Sequence, residues 1–559
     1  MNICLVSREL YPFQKAGIGV YIYNLTKSFN MNGHNVYIIT SKENEMEHIR
    51  RLDNNTNVTV IGVDLGEEAL LFEDFNYAYS YGVYNKLKQL VNHYEIDLIE
   101  FADFFGEAFF SILYKKVRGE FAHIPFVVKL HTPTYECNLA NQIEEPETNL
   151  TLQEDYTIIN VDYVCAISYF MKDTIANRLQ RSDIHVIYNM IDNPDINSSE
   201  INVKQILHKN YVLYVGRLEE RKGIDLFVKA AIKYLENHKN DIYFVVIGQD
   251  VLNLRSNKMV KDELIELIPK DLHDNFVWKM PMLQEDLFHY YRHAYVSVFP
   301  SRFEGFGNVC VEAMTMGSPV IVSNNTAMME IIDVDDNYGI SFSNDDYFDL
   351  YIKLTELLND EQQRNHLSSL SKQRAEDFAL SNIYPAQIQY YKSVIEQYKA
   401  GDVKRQEDIL EHILLKNVDR VQYFIKENKR LTEEWSHLAK INEQRNDDIN
   451  KFSEENKRIL GEWEYSTKIN EELNKQIYNL NLENQRILNE WEIMVSKHSK
   501  ILAQLEEQDR EIKNLFALTE DGKGKLEQKT IELKEVTELL QNKKFLVKQL
   551  ITGKRGKKT

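Results

Sequence analysis

The chain has 559 residues, with 66 basic against 86 acidic side chains and a formal charge of −20. That length exceeds a single hydrophobic core and points to about three domains, or to a pair with an extension. The acidic balance argues against nucleic acid as a partner. No apolar run reaches the roughly 18 residues of a spanning helix, and Met1 leads into an apolar strand without a basic leader, so a cytoplasmic location is expected. Cys4, Cys137, Cys165 and Cys310 are scattered without metal-like spacing and read as buried, reduced thiols.

From residue 1 to about 375, short apolar runs alternate with amphipathic stretches, the pattern of parallel sheets covered by helices. The first sheet is expected to hold strands at Asn2–Ser7, Asn35–Thr40, Asp97–Phe101, Phe126–Leu130 and Tyr163–Ile167, with a helix over Val20–Met31. Asp103, after the third of these strands, reads equally as an acceptor-side residue or as a loop or capping Asp. A linker is expected around Asn189–Ser199. The second sheet takes Tyr211–Val215, Tyr243–Ile247, Phe276–Trp278, Val296–Phe299 and Val320–Val322, and a helix over Ile383–Tyr398 closes the globular part. The expected fold is therefore α/β, with two Rossmann-like domains over residues 1–190 and 191–400 facing a cleft. Ligands of such sheets bind beyond the strand C-termini. The glycine-bearing turns at Gly17 to Gly19, at Gly216 and at Gly305 to Gly307 are thus expected to meet there.

Two segments carry the chemistry. In Val215-Gly216-Arg217-Leu218-Glu219-Glu220-Arg221-Lys222-Gly223, Arg217 follows a strand and Lys222 precedes a helix starting near Ile224. An Arg fork and a Lys point charge there suit the negative charge that builds on a departing phosphate. In Glu304-Gly305-Phe306-Gly307-Asn308-Val309-Cys310-Val311-Glu312, the glycines lie between a strand and a helix that ends at Gly317. Their backbone N–H groups and the helix N-terminus favour a phosphate. Glu304 and Glu312 flank that cradle as acceptors for vicinal hydroxyls, which fits a ligand with sugar on both sides of a diphosphate.

Beyond Gly401 glycine and proline nearly vanish and Glu, Lys, Asn, Gln and Leu dominate. The segment Glu427–Trp435 recurs as Glu455–Trp463 and as Glu483–Trp491, a period of four heptads. A 3-4 spacing from Val421 puts Asn428, Trp435, Asn442, Asn456, Trp463, Asn470, Asn484 and Trp491 at a positions and mostly apolar side chains, such as Leu431, Leu438, Leu473 and Leu480, at d. Such a seam predicts a left-handed coiled coil over 401–518, paired as a parallel homodimer through 421–515 because repeated Asn at a fixes register. The tail, 519–559, is basic after Glu538 and reads as a solvated terminus or as a peripheral contact with anionic lipid.

The two cleft segments resemble those of retaining glycosyltransferase family four, of GT-B fold. Glu9-Leu10-Tyr11-Pro12 through Gly17-Ile18-Gly19 resembles the family's first glycine loop, Asn32-Gly33-His34-Asn35-Val36 its strand entry and Val186-Ile187-Tyr188-Asn189 its linker. The resemblance covers residues 1 to about 395. It implies that Arg217 and Lys222 bind the donor diphosphate, that Glu312 holds the nucleotide ribose and that Glu304 contacts the donor sugar. It further implies that Gly305, Phe306, Gly307 and Asn308 lie against sugar and phosphate, with Gly17, Gly19, Gly216 and Val309 completing the donor site. His131, at the end of Phe126–Leu130, would stand close to the donor's reacting carbon. The implied donor is a UDP-, GDP- or similar nucleotide sugar, the acceptor a glycan, a lipid-linked sugar or a protein, and no metal is expected. One segment departs from the family's glycine-rich pattern, Thr326-Ala327-Met328-Met329-Glu330. Two other readings fit the same residues: a catalytically silent sugar-nucleotide-binding scaffold with a coiled-coil spacer, and a GT-B sugar-nucleotide epimerase.

Overall fold

The computed structural model describes residues 1–12, 17–51, 57–66, 72, 74–143, 146–192, 210–238, 241–253, 255–401, 409–450, 466–486, 489–490 and 493. Two parallel sheets follow one another. The first contains β1 (Asn2–Val6), β2 (Asn35–Ser41), β3 (Val58–Val63), β4 (Leu98–Ala102), β5 (Phe126–Leu130), β6 (Tyr163–Ala166) and β7 (Ile184–Val186). Its order is β3-β2-β1-β4-β5-β6-β7, with every pair parallel. The second contains β8 (Asn210–Val215), β9 (Ile242–Ile247), β12 (Phe276–Lys279), β13 (Val296–Phe299), β14 (Val320–Ser323) and β15 (Ile340–Phe342). Between β9 and β12 a small hairpin forms from β10 (Leu252–Asn253) and β11 (Lys258–Met259). The second order is β12-β9-β8-β13-β14-β15, the same winding as the first. The structure matches the two-domain α/β expectation.

The strands that alternation and apolar runs made visible are the central ones, and β4, β5 and β13 are buried along their whole length. Within the two sheets the unforeseen strands, β3, β7 and β15, sit at the edges, and two of them have only three residues; the hairpin of β10 and β11 was also unforeseen. Gly17 and Gly19 also differ from expectation: they open the helix Gly17–Met31 and are not loop residues. A helix that begins on glycine brings unpaired N–H groups close to whatever lies beyond β1.

The chain returns to its first sheet after completing the second. The helix Leu380–Ala400 buries Ile383, Tyr391 and Val394 against Ile3, Leu5, Leu25 and Ile38. A buried polar network fixes it there. Glu100 of β4 accepts from the hydroxyls of Tyr391 at 2.7 Å and Tyr21 at 2.6 Å, and Lys129 of β5 donates to the Ile187 carbonyl at 2.9 Å.

The helix Ile409–Asn450 begins on the same domain. Leu415 is 1% exposed and Val418 is buried beside it. Glu411 accepts from Lys116 at 2.6 Å and from the Tyr156 hydroxyl at 2.8 Å, and Gln422 donates to the Tyr81 hydroxyl. Residues 1–431 form one compact unit and 432–559 another. In the second unit, described helix continues to Asn450 and again over 466–486. The seam positions Trp435 and Leu438 are exposed, Trp435 by 73%, as are Leu473 and Ile477. The repeat Glu455–Trp463, the residues Ile487, Leu488 and Trp491 of the repeat Glu483–Trp491, the heptad seam over 451–465 and after 493, and the basic tail lie outside the described residues.

Candidate active site

In each sheet the winding reverses between the first and fourth strands in chain order, and ligands of such folds bind at that switch point. In the second sheet these strands are β8 and β13. The two segments singled out from sequence follow them directly: Gly216–Gly223 leaves β8 and Pro300–Gly307 leaves β13. They are pressed together. A Cβ on Gly223, whose φ is 65°, would lie 1.9 Å from the Pro300 carbonyl oxygen, so only glycine fits.

Lys222 reaches Glu304 across this junction, with Nζ 2.5 Å from Oε2. Ser301 Oγ donates weakly to the same oxygen at 3.4 Å. Burial pushes the Glu304 carboxyl up, but Lys222 and Arg221 outweigh it and hold the group below its ordinary range, hence ionised. Arg221 is a support that the sequence did not single out. It is buried, donates to the Phe303 carbonyl at 3.2 Å and to Glu219 at 2.7 Å, and so holds the turn that presents Glu304. Arg217 behaves differently: it is 53% exposed, 3.4 Å from Glu219, and leaves its guanidinium at the cleft.

The helix Asn308–Thr315 starts from Gly307, whose φ of 106° a side chain rarely adopts. The first-turn N–H groups, those of Asn308 and Val309 included, have no intrahelical acceptor and suit an anion. One turn on, Glu312 is 5% exposed. It accepts from Gln284 Nε2 at 2.7 Å and from the Tyr291 hydroxyl at 3.4 Å, and burial raises its pKa to about 7. Gln284 opens the helix Gln284–His293, and no motif in the sequence announced it.

The opposing face is built by the first sheet. His131, directly after β5, is 5% exposed, and burial, then Lys129, lowers its pKa to about 3. It is a neutral imidazole whose Nε2 has no protein partner, so it suits a sugar hydroxyl. Its backbone N–H donates to Asp103 Oδ2 at 2.8 Å, while Asp103 Oδ1 is buried without a partner. Burial, then Glu154, pushes the Asp103 carboxyl well above its usual range. Glu154 accepts from the Phe105 N–H at 2.8 Å and the Thr134 N–H at 2.6 Å, and burial raises it to about 8.

The structure brings most of the expected residues together. A Cβ on Gly305 would lie 2.1 Å from the His131 carbonyl oxygen, so the donor turn touches the end of β5. Asn308 accepts from Asn189 at 3.0 Å and donates weakly to the Gly17 carbonyl at 3.4 Å. Gly17, Asn189, His131, Gly305 and Asn308 thus meet at one junction beside the Lys222–Glu304 pair, while Gly19 is buried in its helix and the Phe306 ring packs on Tyr188 and Phe378. Glu312 lies deeper, behind Gln284, and Arg217 stands outward.

Fold and site together define a two-domain α/β protein of GT-B type, with Arg217, Arg221 and Lys222 around an ionised Glu304 in the second domain and the buried carboxyls of Asp103 and Glu154 beside a neutral His131 in the first. Residues 16–193 match the family model described as Glycosyltransferase Family 4, and residues 198–374 the one described as Glycosyl transferases group 1. The chain belongs to this family of GT-B glycosyltransferases.

An uncharacterised glycosyltransferase of Methanocaldococcus jannaschii is 30% identical over 40% of this chain and 57% of its own length. The Campylobacter jejuni N-acetylgalactosamine-N,N'-diacetylbacillosaminyl-diphospho-undecaprenol 4-alpha-N-acetylgalactosaminyltransferase is 27% identical over 37% of this chain and 53% of itself. The capsular polysaccharide biosynthesis glycosyltransferase CapM of Staphylococcus aureus is 26% identical over 34% of this chain and 47% of itself. The chain therefore spans about half the length of these curated relatives. Among solved structures, sucrose-phosphate synthase of Thermosynechococcus elongatus superposes with a TM-score of 0.58 at 20% identity, over 71% of this chain and 99% of that one. Anabaena HepE, solved with UDP and glucose, superposes at 0.54 and 17% identity, over 70% and 100%. Both likenesses concern the fold.

Proposed function

We propose that residues 1–400 transfer a sugar, with retention of configuration, from a nucleotide-diphosphate sugar to a glycan, a lipid-linked sugar or a protein, in surface polysaccharide or glycoconjugate synthesis. One observation carries this reading: Lys222 and Glu304 pair at 2.5 Å in the β8–β13 crevice, and the Gly305 beside them rests on His131. The diphosphate lies against Lys222, Arg217 and the first turn of Asn308–Thr315; Glu312 receives the ribose hydroxyls once Gln284 moves aside; Glu304 and His131 hold hydroxyls of the donor sugar.

A retaining hydrolase mechanism needs two opposed carboxylates. Glu304 is engaged by Lys222 and Ser301, and Glu312 is sequestered behind Gln284, so neither is assigned as a nucleophile. The reading is front-face displacement. The bond from the anomeric carbon to the phosphate oxygen breaks, the acceptor oxygen bonds to that carbon on the same face, and its proton passes to the departing phosphate. Arg217 and Lys222, without a metal ion, stabilise the charge left there.

We further propose that the heptad seam pairs two copies in parallel, in line with the exposure of Trp435, Leu438, Leu473 and Ile477, and that the protein works in the cytoplasm, with the basic tail available for anionic lipid. Among the described residues no helix is long and apolar enough to cross a membrane. Turnover of a panel of nucleotide sugars tests the transferase reading. It predicts release of a nucleoside diphosphate with one donor and a glycosylated acceptor. Absence of turnover, together with unchanged nucleotide binding in Glu312→Ala, overturns it in favour of a scaffold; an isomerised donor with no transfer points to an epimerase.

A further inference from the structure

Where β6 ends, the two sheets meet through contacts that donor binding does not use. Ser168 caps the helix Tyr169–Leu179, accepting from the Met171 N–H at 3.0 Å, and the same hydroxyl donates to the Gly305 carbonyl at 2.7 Å. At the next two positions, the N–H groups of Tyr169 and Phe170 donate to Glu330 Oε2 and Oε1 at 2.9 and 2.6 Å. The helix belongs to the first sheet; Gly305 and Glu330 belong to the second. Glu330 is braced on its own side, since Arg374 donates to its carbonyl at 2.7 Å and to that of Ile331 at 2.9 Å. The segment bearing Glu330 is in turn tied to the donor turn by the Ala327 N–H, which donates to the Glu304 carbonyl at 3.2 Å. Beside these bonds the rings of Phe170 and Phe303 meet at 5.3 Å.

We infer that Ser168 and Glu330 form a clasp between the two domains that positions the Glu304–Gly307 turn against His131, an assignment that rests on the transferase reading of that site. A carboxylate accepting two N–H groups at a helix N-terminus makes charge-assisted bonds reinforced by the helix dipole. Both arms of the clasp end on the donor turn: Ser168 on Gly305 itself, and Glu330 through Ala327 on Glu304. Gly305 has no side chain to keep it from the His131 carbonyl, so the distance between donor turn and His131 depends on what holds the domains together. The donor's principal ligands, Arg217, Lys222 and Glu312, all lie in the second domain. Releasing the clasp therefore leaves donor affinity in place and separates the bound sugar from His131. Glu330 and Ser168 are positioning residues: they act through the turn and touch no substrate.

The test uses the full chain with Glu330→Ala, Glu330→Gln and Ser168→Ala, and UDP and GDP as probes. In Glu330→Ala the Tyr169 and Phe170 amides are expected to exchange with deuterium about tenfold faster or more, and kcat with the turned-over donor to fall by a similar factor. Calorimetric affinity for the nucleoside diphosphate is expected to stay within about twofold, and Glu330→Gln, which keeps one acceptor oxygen, to fall between the two. Unchanged exchange at both amides overturns the clasp. So does a loss of kcat matched by an equal loss of nucleotide affinity, which marks damage to the donor pocket. Should Glu330→Ala fail to fold, Ser168→Ala decides by the same kcat-against-affinity split. If the unaltered protein turns over no donor, the transferase reading fails, and amide exchange alone decides whether the clasp exists.

Discussion

The two sheets wind identically and charge their switch points in opposite ways. Beyond β8 and β13 stand Arg217, Arg221 and Lys222, with Glu304 held ionised beneath them. Beyond β1, β4 and β5 stand Glu9, Asp103, Glu154 and His131, where burial pushes the carboxyls up, Glu9 to about 7 and Glu154 to about 8, and holds the imidazole neutral. On the transferase reading proposed above, the difference is one of ligand chemistry. A diphosphate demands permanent cations, whereas sugar hydroxyls are held by neutral groups that donate and accept without a net field. On that reading the same scaffold makes an anion site and a hydroxyl site by changing which charges are buried and which are paired.

The sharpest way to break this contrast is to remove one cation. Lys222→Ala strips the partner from Glu304, leaves a partly buried carboxylate beside the leaving group and is expected to lower turnover on the order of 10³-fold. A loss below about fivefold, measured as nucleoside diphosphate release, means that Lys222 is structural. On the opposite face the effect is smaller. His131→Ala removes a neutral hydroxyl partner and is expected to lower kcat about 10²-fold, with nucleoside diphosphate affinity by calorimetry unchanged.

The contrast also explains what the sequence made visible. A diphosphate cradle requires glycines at fixed offsets from Arg, Lys and Glu, so Arg217, Lys222, Glu304 and Glu312 stand out in the chain, and the central apolar strands frame them. The hydroxyl face has no such spacing. Glu154 lies in the middle of an ordinary helix, Asn149–Asn160, and its role comes from burial that only the fold creates. Gln284, Arg221 and Ser168 escaped for the same reason: each acts through a partner distant in sequence, Glu312, Phe303 and Gly305 respectively. The edge strands β7 and β15 were missed because three residues carry little periodicity, and β3, six residues long, is only partly buried over most of its length. The return of Leu380–Ala400 to the first sheet rests on Tyr391 meeting Glu100, 291 positions away, which no local pattern foretells.

A pH titration separates the faces further. Burial raises Glu312 from an ordinary 4.5 to about 7, so below that pH the free site holds a proton there, which on the proposed reading ribose hydroxyls expel by donating to both oxygens. Nucleotide affinity is therefore expected to rise by up to about tenfold per pH unit below 7 and to level off above it. Stability of the free protein runs the other way: because the folded pKa is the higher one, this group's contribution is complete below 4.5 and is lost as pH rises through about 7. Glu312→Gln should flatten its share of both trends, as read by calorimetry and thermal melts against the unaltered chain. A binding profile that keeps its slope in Glu312→Gln assigns the proton to another group.

The smallest expected effect concerns where the catalytic unit ends. Composition changes at Gly401, yet Glu411 pairs with Lys116 and Tyr156, and Leu415 and Val418 are buried on the first domain. Burying two such side chains is worth about 1.5–3 kcal/mol each by transfer, less the ordering of the helix that carries them. A chain ending at Gly401 is thus expected to melt several degrees lower than one ending at Leu431, because it uncovers the surface under Leu415 and leaves Lys116 without its carboxylate. The chain ending at Leu431 keeps these contacts, loses Trp435 and every later seam residue, and should scatter light as a monomer while the full chain scatters as a dimer. Equal melting temperatures for the two truncations mean that the first turns of Ile409–Asn450 add nothing to the fold. A dimer persisting at Leu431 places the pairing surface on the globular part and removes the heptad seam's role in it.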